Sequence, residues 1–310
     1  MVAEPTSPFA GAQVSALLGR LACPSCRSAL VQGASGLSCS SCGDSFPVRG
    51  SVLDLRPSRR ASVQGDQDAW SDHWSEEKQA SLVQRFFSWY RKAVFARTVA
   101  YFVERYFSTR GVFVEAGSGT SETSIRVDKR GGDRTLVALD LIVPVLEQCD
   151  PVMDVRVAGD IFRLPFADDS VDGIWNVGVM EHFTHDQIDA ILRELHRVLR
   201  PGGRVILLWP GSDSIPQKML EAVAWVVNLR PRPKTFRFHP PEISRLRSTR
   251  QGRDVLGRNG FETVTIDPGP RSLMAFKTVV GAKPARAASP AAAVYASGYS
   301  SPSLAAPSHA

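Results

Sequence analysis

The stretch that decides the fold is VFVEAGSGTSETSIRVDKRGGDRTLVALD, residues 112–140. It begins with an apolar run at 112–114, continues through a turn that contains Gly117 and Gly119, and ends with a second apolar run that leads into Asp140. Short β-branched runs predict strands, and glycines let the backbone turn tightly and approach a ligand. The order predicts strand, glycine turn, helix and strand, as at the start of an open α/β sheet.

The carboxylate at the end of the second run indicates which kind of ligand the turn holds. An acidic side chain at that position can accept hydrogen bonds from both ribose hydroxyls of a nucleoside. A dinucleotide-binding turn would have glycine at position 122, where this chain has Glu122. That carboxylate would repel a pyrophosphate, whereas Glu115, just before the turn, suits a cationic amine. A ribose, an amine and the absence of phosphate describe S-adenosylmethionine (SAM).

The turn sequence EAGSG, residues 115–119, resembles the first motif of the class I SAM-dependent methyltransferases of the type 11-like group. The resemblance implies that Glu115, Gly117 and Gly119 surround the methionine moiety, and that Asp140 and its neighbour Leu141 hold the ribose. One departure is Ser121, which stands where many members carry a third glycine. The implied fold is α/β: a Rossmann-like methyltransferase sheet with helices on both faces, preceded by a small zinc ribbon.

The resemblance extends over residues 109–283 through several further matches. A third strand is expected near 155–158, followed by GDIFRLPFADDSVDGIWNVGVMEHF at 159–183, with a fourth strand at 171–177. By resemblance, Asp160 accepts from the adenine amine, Ile161 lies beside the ring, and Asn176 lies at the strand end beneath the transferred methyl. Apolar residues at three and four spacing predict a helix over 186–199. The RPGG sequence at 200–203 ends that helix, and VILLW begins a fifth strand.

Two C-x-x-C pairs near the start of the chain predict a metal site. Cys23 and Cys26 are separated by twelve residues from Cys39 and Cys42. Four thiolates in two knuckles form a closed tetrahedral zinc site, which has no open position for catalysis. A disulfide arrangement is disfavoured, since Cys149 lacks a partner and we expect no secretory signal peptide. The segment resembles Trm112-like zinc ribbons, which stand alone or are fused to methyltransferases.

Composition predicts how the chain is organised. Its 310 residues, 43% of them hydrophobic, suffice for one α/β domain and a small metal domain. We expect a flexible N-terminus at 1–15, a zinc ribbon at 16–58, a helical linker or cap at 59–108, the methyltransferase domain at 109–283 and a disordered tail at 284–310. No apolar stretch is long enough to span a membrane, so a cytoplasmic protein is expected. The sequence leaves the oligomeric state unknown.

Aromatic residues crowd the segment before the sheet. Trp70, Trp74, Phe86, Phe87, Trp89 and Tyr90 could cap the cofactor and the substrate, or could pack against the sheet. Packing against the sheet is the favoured interpretation for Phe86, Phe95, Phe102 and Tyr106. For Trp70 and Trp74, packing and capping of the cofactor and substrate are equally favoured. The apolar segment 219–227, which includes Trp225, could line a substrate pocket or belong to the core.

The net charge of +6 is concentrated between the fifth and sixth strands. The basic residues there are Arg230, Arg232, Lys234, Arg237, Arg245, Arg247, Arg250, Arg253 and Arg258, offset in the sequence only by Glu242 and Asp254. Such a cluster attracts phosphate-bearing or carboxylate-bearing partners, although a solvated helix face is the plainer alternative for any single arginine. RNA is a possible partner, but no RNA-binding module is recognisable.

Methyl transfer from a sulfonium needs mainly alignment, and a base only where the acceptor is protonated. His182 and Glu181, at the end of the fourth strand, are the candidate catalytic residues, followed by His185 and Asp213. The alternative for His182 is a residue that only orients the loop. The predicted function is a SAM-dependent methyltransferase with a small-molecule, lipid or glycan acceptor, anionic in character. An rRNA or tRNA methyltransferase and a non-catalytic SAM-binding scaffold remain the alternatives.

Overall fold

A computed structural model describes residues 17–33, 36–57, 88–214, 218–219, 221–222, 225 and 242–286. The predictions for Trp70, Trp74, Phe86, Phe87 and the basic residues at 230–237 therefore lie outside the described residues. So do the predictions for the segments 1–15 and 287–310. No helix among the described residues is long and apolar enough to cross a membrane.

The described chain alternates strands and helices. The strands are β1 Leu30–Gln32, β2 Gly36–Cys39, β3 Ser45–Arg49, β4 Val52–Asp54, β5 Gly111–Ala116, β6 Arg134–Asp140, β7 Val155–Ala158, β8 Val171–Val177, β9 Leu199–Pro210, β10 Glu262–Asp267 and β11 Phe276–Ala282. The α-helices are α1 Ala96–Tyr106, α2 Val143–Glu147, α3 His185–Val198 and α4 Thr249–Arg258. A π-helical turn, Arg91–Phe95, precedes α1, and single 3-10 turns span Arg130–Gly132, Met180–His182 and Pro270–Ser272.

The strands form one sheet in the order β1-β2-β3-β4-β7-β6-β5-β8-β9-β11-β10. The central strands β7, β6, β5, β8 and β9 are mutually parallel, whereas β11 runs antiparallel to β9 and to β10. The chain reverses its direction of strand addition between β5 and β8, which is where open α/β sheets bind ligands. This architecture confirms the predicted α/β sheet and its strands near 112–114, 136–139, 155–158 and 171–177.

Helices cover both faces of the sheet. Helix α1 buries Phe102 and Val103 in a cluster with Phe113 and Trp175, whereas α3 buries Ile188 and its neighbours against the other face. Helix α3 begins with a capping box between Thr184 and Gln187. Its observed limits agree with the predicted helix to one residue at each end.

The segment after the glycine turn differs from the prediction, because residues 117–129 form successive turns and no helix. Backbone bonds run from Ser121 N to Ser118 O, from Ser124 N to Ser121 O and from Val127 N to Ser124 O. Ser121 itself adopts a left-handed φ of 57°. Hydroxyl side chains compete with helical hydrogen bonding by bonding nearby groups. The hydroxyl-rich run here does so, and its side chains serve the site described below.

The cysteine-rich segment joins the main sheet edge to edge. Strand β4 pairs in parallel with β7, with Leu53 opposite Val157, and Leu55 N continues the ladder to Ala158 O at 2.8 Å. The residues of β4 are buried. The start of the segment also pairs with the main domain, since Ala22 N donates to Pro165 O at 3.1 Å. The ribbon strands and the α/β strands therefore share one continuous hydrogen-bonded sheet.

Candidate active site

Glu115, the penultimate residue of β5, is a fully buried carboxylate held by hydroxyl groups. Its Oε1 accepts from Ser124 Oγ at 2.8 Å and from Thr123 Oγ1 at 3.3 Å. The Ser124 hydroxyl in turn accepts from Trp175 Nε1 at 3.1 Å. Burial raises the pKa of Glu115 to about 7, and the hydroxyl groups oppose part of that rise.

The second oxygen of Glu115, Oε2, is buried and has no hydrogen-bond partner among the described residues. A buried carboxylate oxygen without a partner is costly, and a cationic group placed beside it would remove that cost. The structure therefore fits the expectation that Glu115 receives an amine. The positions of Ser124, Thr123 and Trp175 around it were not anticipated from the sequence, although the hydroxyl run at 120–124 was a visible signal.

The glycine turn brings the backbone close to the neighbouring strand ends. Gly117 has a φ of 74°, and a Cβ there would lie 2.7 Å from Val179 Cγ2. Gly119 has a φ of 52°, and its N–H donates to Asp140 Oδ2 at 2.9 Å. Asp140 Oδ1 accepts from Ile142 N at 3.0 Å, and burial raises the pKa of the Asp140 carboxyl. The turn and the predicted ribose-binding acid are thus in direct contact.

The predicted adenine side lies at the end of β7. Asp160 is buried, and its Oδ1 accepts from Phe162 N at 2.9 Å, while Ile161 is half-buried beside it. Gly159 N donates to the carbonyl of Asp140 at 2.9 Å, which fixes the two acidic residues at adjacent strand ends.

The ribbon also reaches this edge of the sheet. Arg56 binds Asp54 through two bonds of 2.7 and 2.6 Å and donates to the carbonyl of Leu141 at 3.5 Å. The sequence did not predict this contact between the ribbon and a cofactor-binding candidate.

The end of β8 carries a second group of buried polar side chains. Asn176 is fully buried, and neither atom of its amide has a partner among the described residues. Glu181 and His182 lie in the following 3-10 turn, both buried, with His182 Nε2 3.8 Å from Glu181 Oε1. Burial raises the pKa of Glu181 well above its usual range, and the nearby Glu242 raises it further. The structure therefore brings both predicted catalytic residues to the edge where β5 and β6 end.

Residues 243–246 connect the ends of β8 and β9. Ile243 N and Ser244 N donate to the carbonyl of Glu181 at 2.6 and 2.9 Å, and Trp209 Nε1 donates to Ser244 O at 2.9 Å. Leu246 N donates to Pro210 O at 3.0 Å. This strap holds the turn that carries Glu181 against the end of β9.

The described arginines of the basic cluster are more fully paired than the sequence indicated. Arg245 binds both Glu242 and Glu221, and Arg258 binds Asp189 of α3 at 2.9 Å. Besides the two acids within residues 230–258, Glu221 and Asp189 from outside that range therefore pair with these two arginines. For these two arginines, the positive field is largely balanced locally.

The aromatic predictions divide between packing and exposure. Phe102 is buried, Phe95 packs edge-on against Phe276 at 4.8 Å, and Tyr106 packs against the α1 cluster, so the packing interpretation is confirmed for all three. Met219 and Trp225 are 65% and 66% exposed, so the core alternative is wrong for both.

The four cysteines form one cluster in the ribbon. Their sulfur atoms all lie within 4.8 Å of one another, with Cys23 and Cys42 at 3.6 Å and Cys26 and Cys39 at 3.4 Å. A tetrahedral zinc with Zn–S bonds of about 2.3 Å separates its sulfurs by roughly 3.8 Å. The geometry fits the predicted closed site, and Cys149 lies apart, with its thiol bonded to Ser121 Oγ at 3.2 Å.

Comparison with known proteins agrees with this geometry. Residues 114–207 match a family model described as "Methyltransferase domain". A malonyl-[acyl-carrier protein] O-methyltransferase of Dechloromonas aromatica is 35% identical over 136 residues, 44% of this chain and 49% of that protein. A demethylmenaquinone methyltransferase of Mycolicibacterium paratuberculosis is 35% identical over 94 residues, 30% of this chain and 39% of that protein. The chain thus spans about half the length, or less, of these curated relatives.

Among solved structures, the chain is similar to magnesium protoporphyrin IX methyltransferase from Synechocystis PCC 6803 with bound SAH. The TM-score is 0.46 at 15% identity, over 71% of this chain and 95% of that chain. Residues 114–207 thus match a methyltransferase domain, and the sheet order and the glycine turn agree with the α/β fold that the motifs predicted.

Proposed function

We propose that the protein transfers a methyl group from SAM to a small-molecule, lipid or glycan acceptor that carries an anionic group. The observation that carries the proposal is the open Oε2 of Glu115, buried beside a glycine turn whose N–H binds Asp140. A cation would pair with the open Oε2 of Glu115, and each Asp140 oxygen, which accepts one backbone N–H, keeps a lone pair for a ribose hydroxyl. The turn contains no phosphate-binding glycine at 122.

Bound SAM supplies a methyl group already activated for in-line displacement, so alignment can account for roughly 7 to 11 kcal/mol of the barrier. The chain's residues then bind and orient. Glu115 would hold the amine, Asp140 with Leu141 the ribose, and Asp160 with Ile161 the adenine. Gly117 and Gly119 keep side chains out of the cradle, as a Cβ at Gly117 would meet Val179.

His182 and Glu181 lie where the acceptor would approach, beside the buried amide of Asn176 at the end of β8. A neutral imidazole can accept a hydroxyl or amine proton from the acceptor. Burial raises the pKa of Glu181 well above its usual range and so favours the protonated form, which can donate a hydrogen bond to an acceptor oxygen. We therefore assign proton removal to His182 Nε2 and acceptor orientation to Glu181.

The names of the relatives support the acceptor class. The two curated relatives named above methylate, by their printed names, a malonyl-[acyl-carrier protein] and a demethylmenaquinone. Both are small-molecule or lipid-type acceptors. An acceptor of this kind is also consistent with a compact catalytic domain that lacks a recognisable RNA-binding module.

We also propose that Cys23, Cys26, Cys39 and Cys42 bind a structural zinc ion. Four thiolates leave no coordination position for a substrate, so the metal would stabilise the ribbon and take no part in methyl transfer.

The proposal is tested by incubating the purified protein with methyl-labelled SAM and a fractionated cell extract, with and without nuclease. We expect label in a nuclease-resistant small-molecule, lipid or glycan fraction. Label that disappears with nuclease would favour the RNA alternative. SAM binding by calorimetry without any labelled product would favour the scaffold alternative.

The assigned base gives a sharper test. His182→Ala should lower turnover at least tenfold and leave the affinity for SAM nearly unchanged, because the proposal gives the imidazole a role toward the acceptor and none in holding SAM. His185→Ala removes the second candidate base and should leave turnover unchanged, because His185 is exposed at the start of α3. Steady-state rates with the identified acceptor, together with calorimetry, measure both effects. An unaltered rate in His182→Ala would remove this residue from the mechanism.

A further inference from the structure

Lys277 is a buried cation at the catalytic edge of the sheet. It is the second residue of β11, only 7% exposed, and pairs in register with Trp209, the penultimate residue of β9. Because β11 runs antiparallel to β9, its first residues lie where the parallel strands end. A lone lysine in the apolar run FKTVVGA is costly unless an anion accompanies it.

The register shows which face Lys277 shares. Asn176 is opposite Leu207, and Trp209, two residues further along β9, is opposite Lys277. Side chains two apart on a strand, and those of paired residues, lie on the same face. Lys277 therefore lies on the same face as the buried amide of Asn176. Lys277 lies two strands away from Asn176, at about 4.8 Å per strand, and two residues further along the strand direction, at about 3.3 Å per residue. The Cα atoms of the two residues are therefore roughly 12 Å apart.

The anion that Lys277 binds in this structure comes from the rim of the site. Its ammonium forms an ion pair with Asp213, whose side chain is 61% exposed on the loop after β9. This pairing lowers the pKa of Asp213. Gly211 makes room for the pair, since a Cβ there would lie 2.7 Å from Lys277 Nζ and 2.5 Å from Asp213 Oδ1. A buried lysine is thus matched with a carboxylate that water can reach.

The same loop is tied to the candidate catalytic turn. Gly211 forms a β-bridge with Leu246, and Ser212 N donates to Leu246 O at 3.2 Å. The strap 243–246 continues to the carbonyl of Glu181 through Ser244 N. Lys277 and Asp213 therefore border the same strap that holds Glu181, on the acceptor side of the sheet edge.

We propose that Lys277 binds an anionic group of the methyl acceptor, a carboxylate or a phosphate monoester, which replaces Asp213. This inference rests on the proposed methyltransferase function and names the group that selects its acceptor. An exposed carboxylate is exchanged for a ligand anion that carries at least the same negative charge, so the electrostatic cost is small because the lysine stays paired throughout. Arg245 and Arg258 are less suited to this role because each already binds carboxylates of the chain.

The chain contains a matched lysine at the opposite edge of the sheet. Lys283 directly follows β11, its side chain is 14% exposed, and its ammonium binds Asp169 Oδ1 at 2.6 Å. It is therefore a half-buried lysine paired with an aspartate, as Lys277 is paired, but it lies away from the carboxyl ends of the parallel strands. Substitution of Lys283 removes a comparable ion pair without touching the proposed site.

The test uses the full-length, zinc-loaded protein saturated with S-adenosylhomocysteine. Glutarate and phenyl phosphate are the anionic probes, glutaramide is the neutral control, and ligand-observed NMR titrations at low salt give the affinities. The wild type should bind at least one anionic probe and not glutaramide. Lys277→Gln should weaken that binding at least tenfold, and Lys283→Gln should leave it unchanged. The preference between the two anions identifies carboxylate or phosphate as the recognised group.

Asp213→Asn distinguishes the proposed binding site from an ion pair that only stabilises the fold. Removing the internal competitor should tighten binding of the anionic probe at least threefold. The inference is overturned if the wild type binds neither anion, if Asp213→Asn fails to tighten binding, or if Lys277→Gln binds as the wild type does. Should Lys277→Gln not fold, the Asp213→Asn result decides alone. Calorimetry with S-adenosylhomocysteine on the same samples separates the proposed methyltransferase function from the proposed anion site at Lys277. If S-adenosylhomocysteine does not bind, the methyltransferase function itself is contradicted.

Discussion

Burial opposes ionisation of Glu115, whereas hydroxyl groups from Ser121, Thr123 and Ser124 favour its carboxylate form. The two effects leave the pKa of Glu115 at about 7 against an ordinary value of 4.5. A cation bound at the open Oε2 would favour the ionised form and lower this pKa. At the scale of single residues, cofactor affinity and proton release are therefore coupled.

We predict that SAM binds more tightly as the pH rises from 6 to 8, with release of a proton from Glu115. In the absence of ligand, the raised pKa of Glu115 gives the free energy of unfolding the opposite pH dependence. The unfolded chain loses the proton near pH 4.5 and the folded chain near 7, so the Glu115 contribution to stability falls across that window. Calorimetry in buffers of different ionisation enthalpy measures the released proton.

Ser124→Ala is the variant that tests the role of the hydroxyl groups. It should move the pH midpoint of SAM binding upward, because a hydrogen bond that stabilises the carboxylate is lost, and Ser124→Thr should largely restore the midpoint. A midpoint that is the same in wild type and Ser124→Ala would contradict the assignment.

At the scale of elements, the site depends on turns that stack against each other at the ends of strands. The turn after β5 contacts the turn after β8 through Gly117 and Val179. The run that follows Gly119 uses its hydroxyl groups to hold Glu115 where the sequence predicted a helix. Hydroxyl side chains in such a run compete with helical hydrogen bonding, and here Thr123 and Ser124 bond the buried carboxylate of Glu115.

Gly117→Ala should weaken SAM binding at least tenfold, since the new methyl group would meet Val179 and the left-handed backbone would be strained. The double variant Gly117→Ala with Val179→Ala should recover part of the affinity by removing the clash. Gly131→Ala is the control for backbone strain alone, because Gly131 has a φ of 66° and nothing lies within 4 Å of the added Cβ. Equal losses in Gly117→Ala and Gly131→Ala would show that the contact with Val179 is unimportant. Calorimetric SAM affinities and thermal midpoints measure these effects.

At the scale of the whole molecule, the cysteine-rich segment and the α/β sheet share one ladder. Strand β4 extends the sheet beside β7, and Arg20 reaches the buried Asp172 at 3.1 Å, whose carboxylate also accepts from Val112 N at 2.7 Å. The cysteine-rich segment and the α/β sheet share backbone hydrogen bonds and a buried carboxylate. Unfolding of one while the other stays folded would therefore leave these groups without partners. We expect the two parts to unfold together.

Removal of the proposed zinc ion should lower the thermal midpoint of the whole chain by about 10 °C or more in a single transition, since the metal would stabilise a segment that is continuous with the sheet. Calorimetric scans with and without chelator, and metal analysis, check this. Cys39→Ser should lose bound zinc, whereas Cys149→Ser should keep one equivalent because Cys149 lies outside the cluster. Two separate transitions, with the larger one insensitive to chelator, would contradict the coupling.

The sequence by itself determined the features that depend on residues close together in the chain. Cysteine spacing predicted the four-sulfur cluster, apolar runs predicted the parallel strands and α3, and the glycines between strands predicted the tight turn that contacts Asp140. These signals are local because turn geometry, periodicity and metal-ligand spacing are set within a few residues.

Only the tertiary structure decided which distant groups meet. It paired β4 with β7, surrounded Glu115 with hydroxyl groups in place of a helix, matched Arg245 and Arg258 with remote carboxylates, and set Lys277 beside Asp213. Each of these contacts joins residues from different elements. Their partners are selected by burial and by the electrostatic cost of leaving a charge unpaired, and neither quantity exists until the chain has folded.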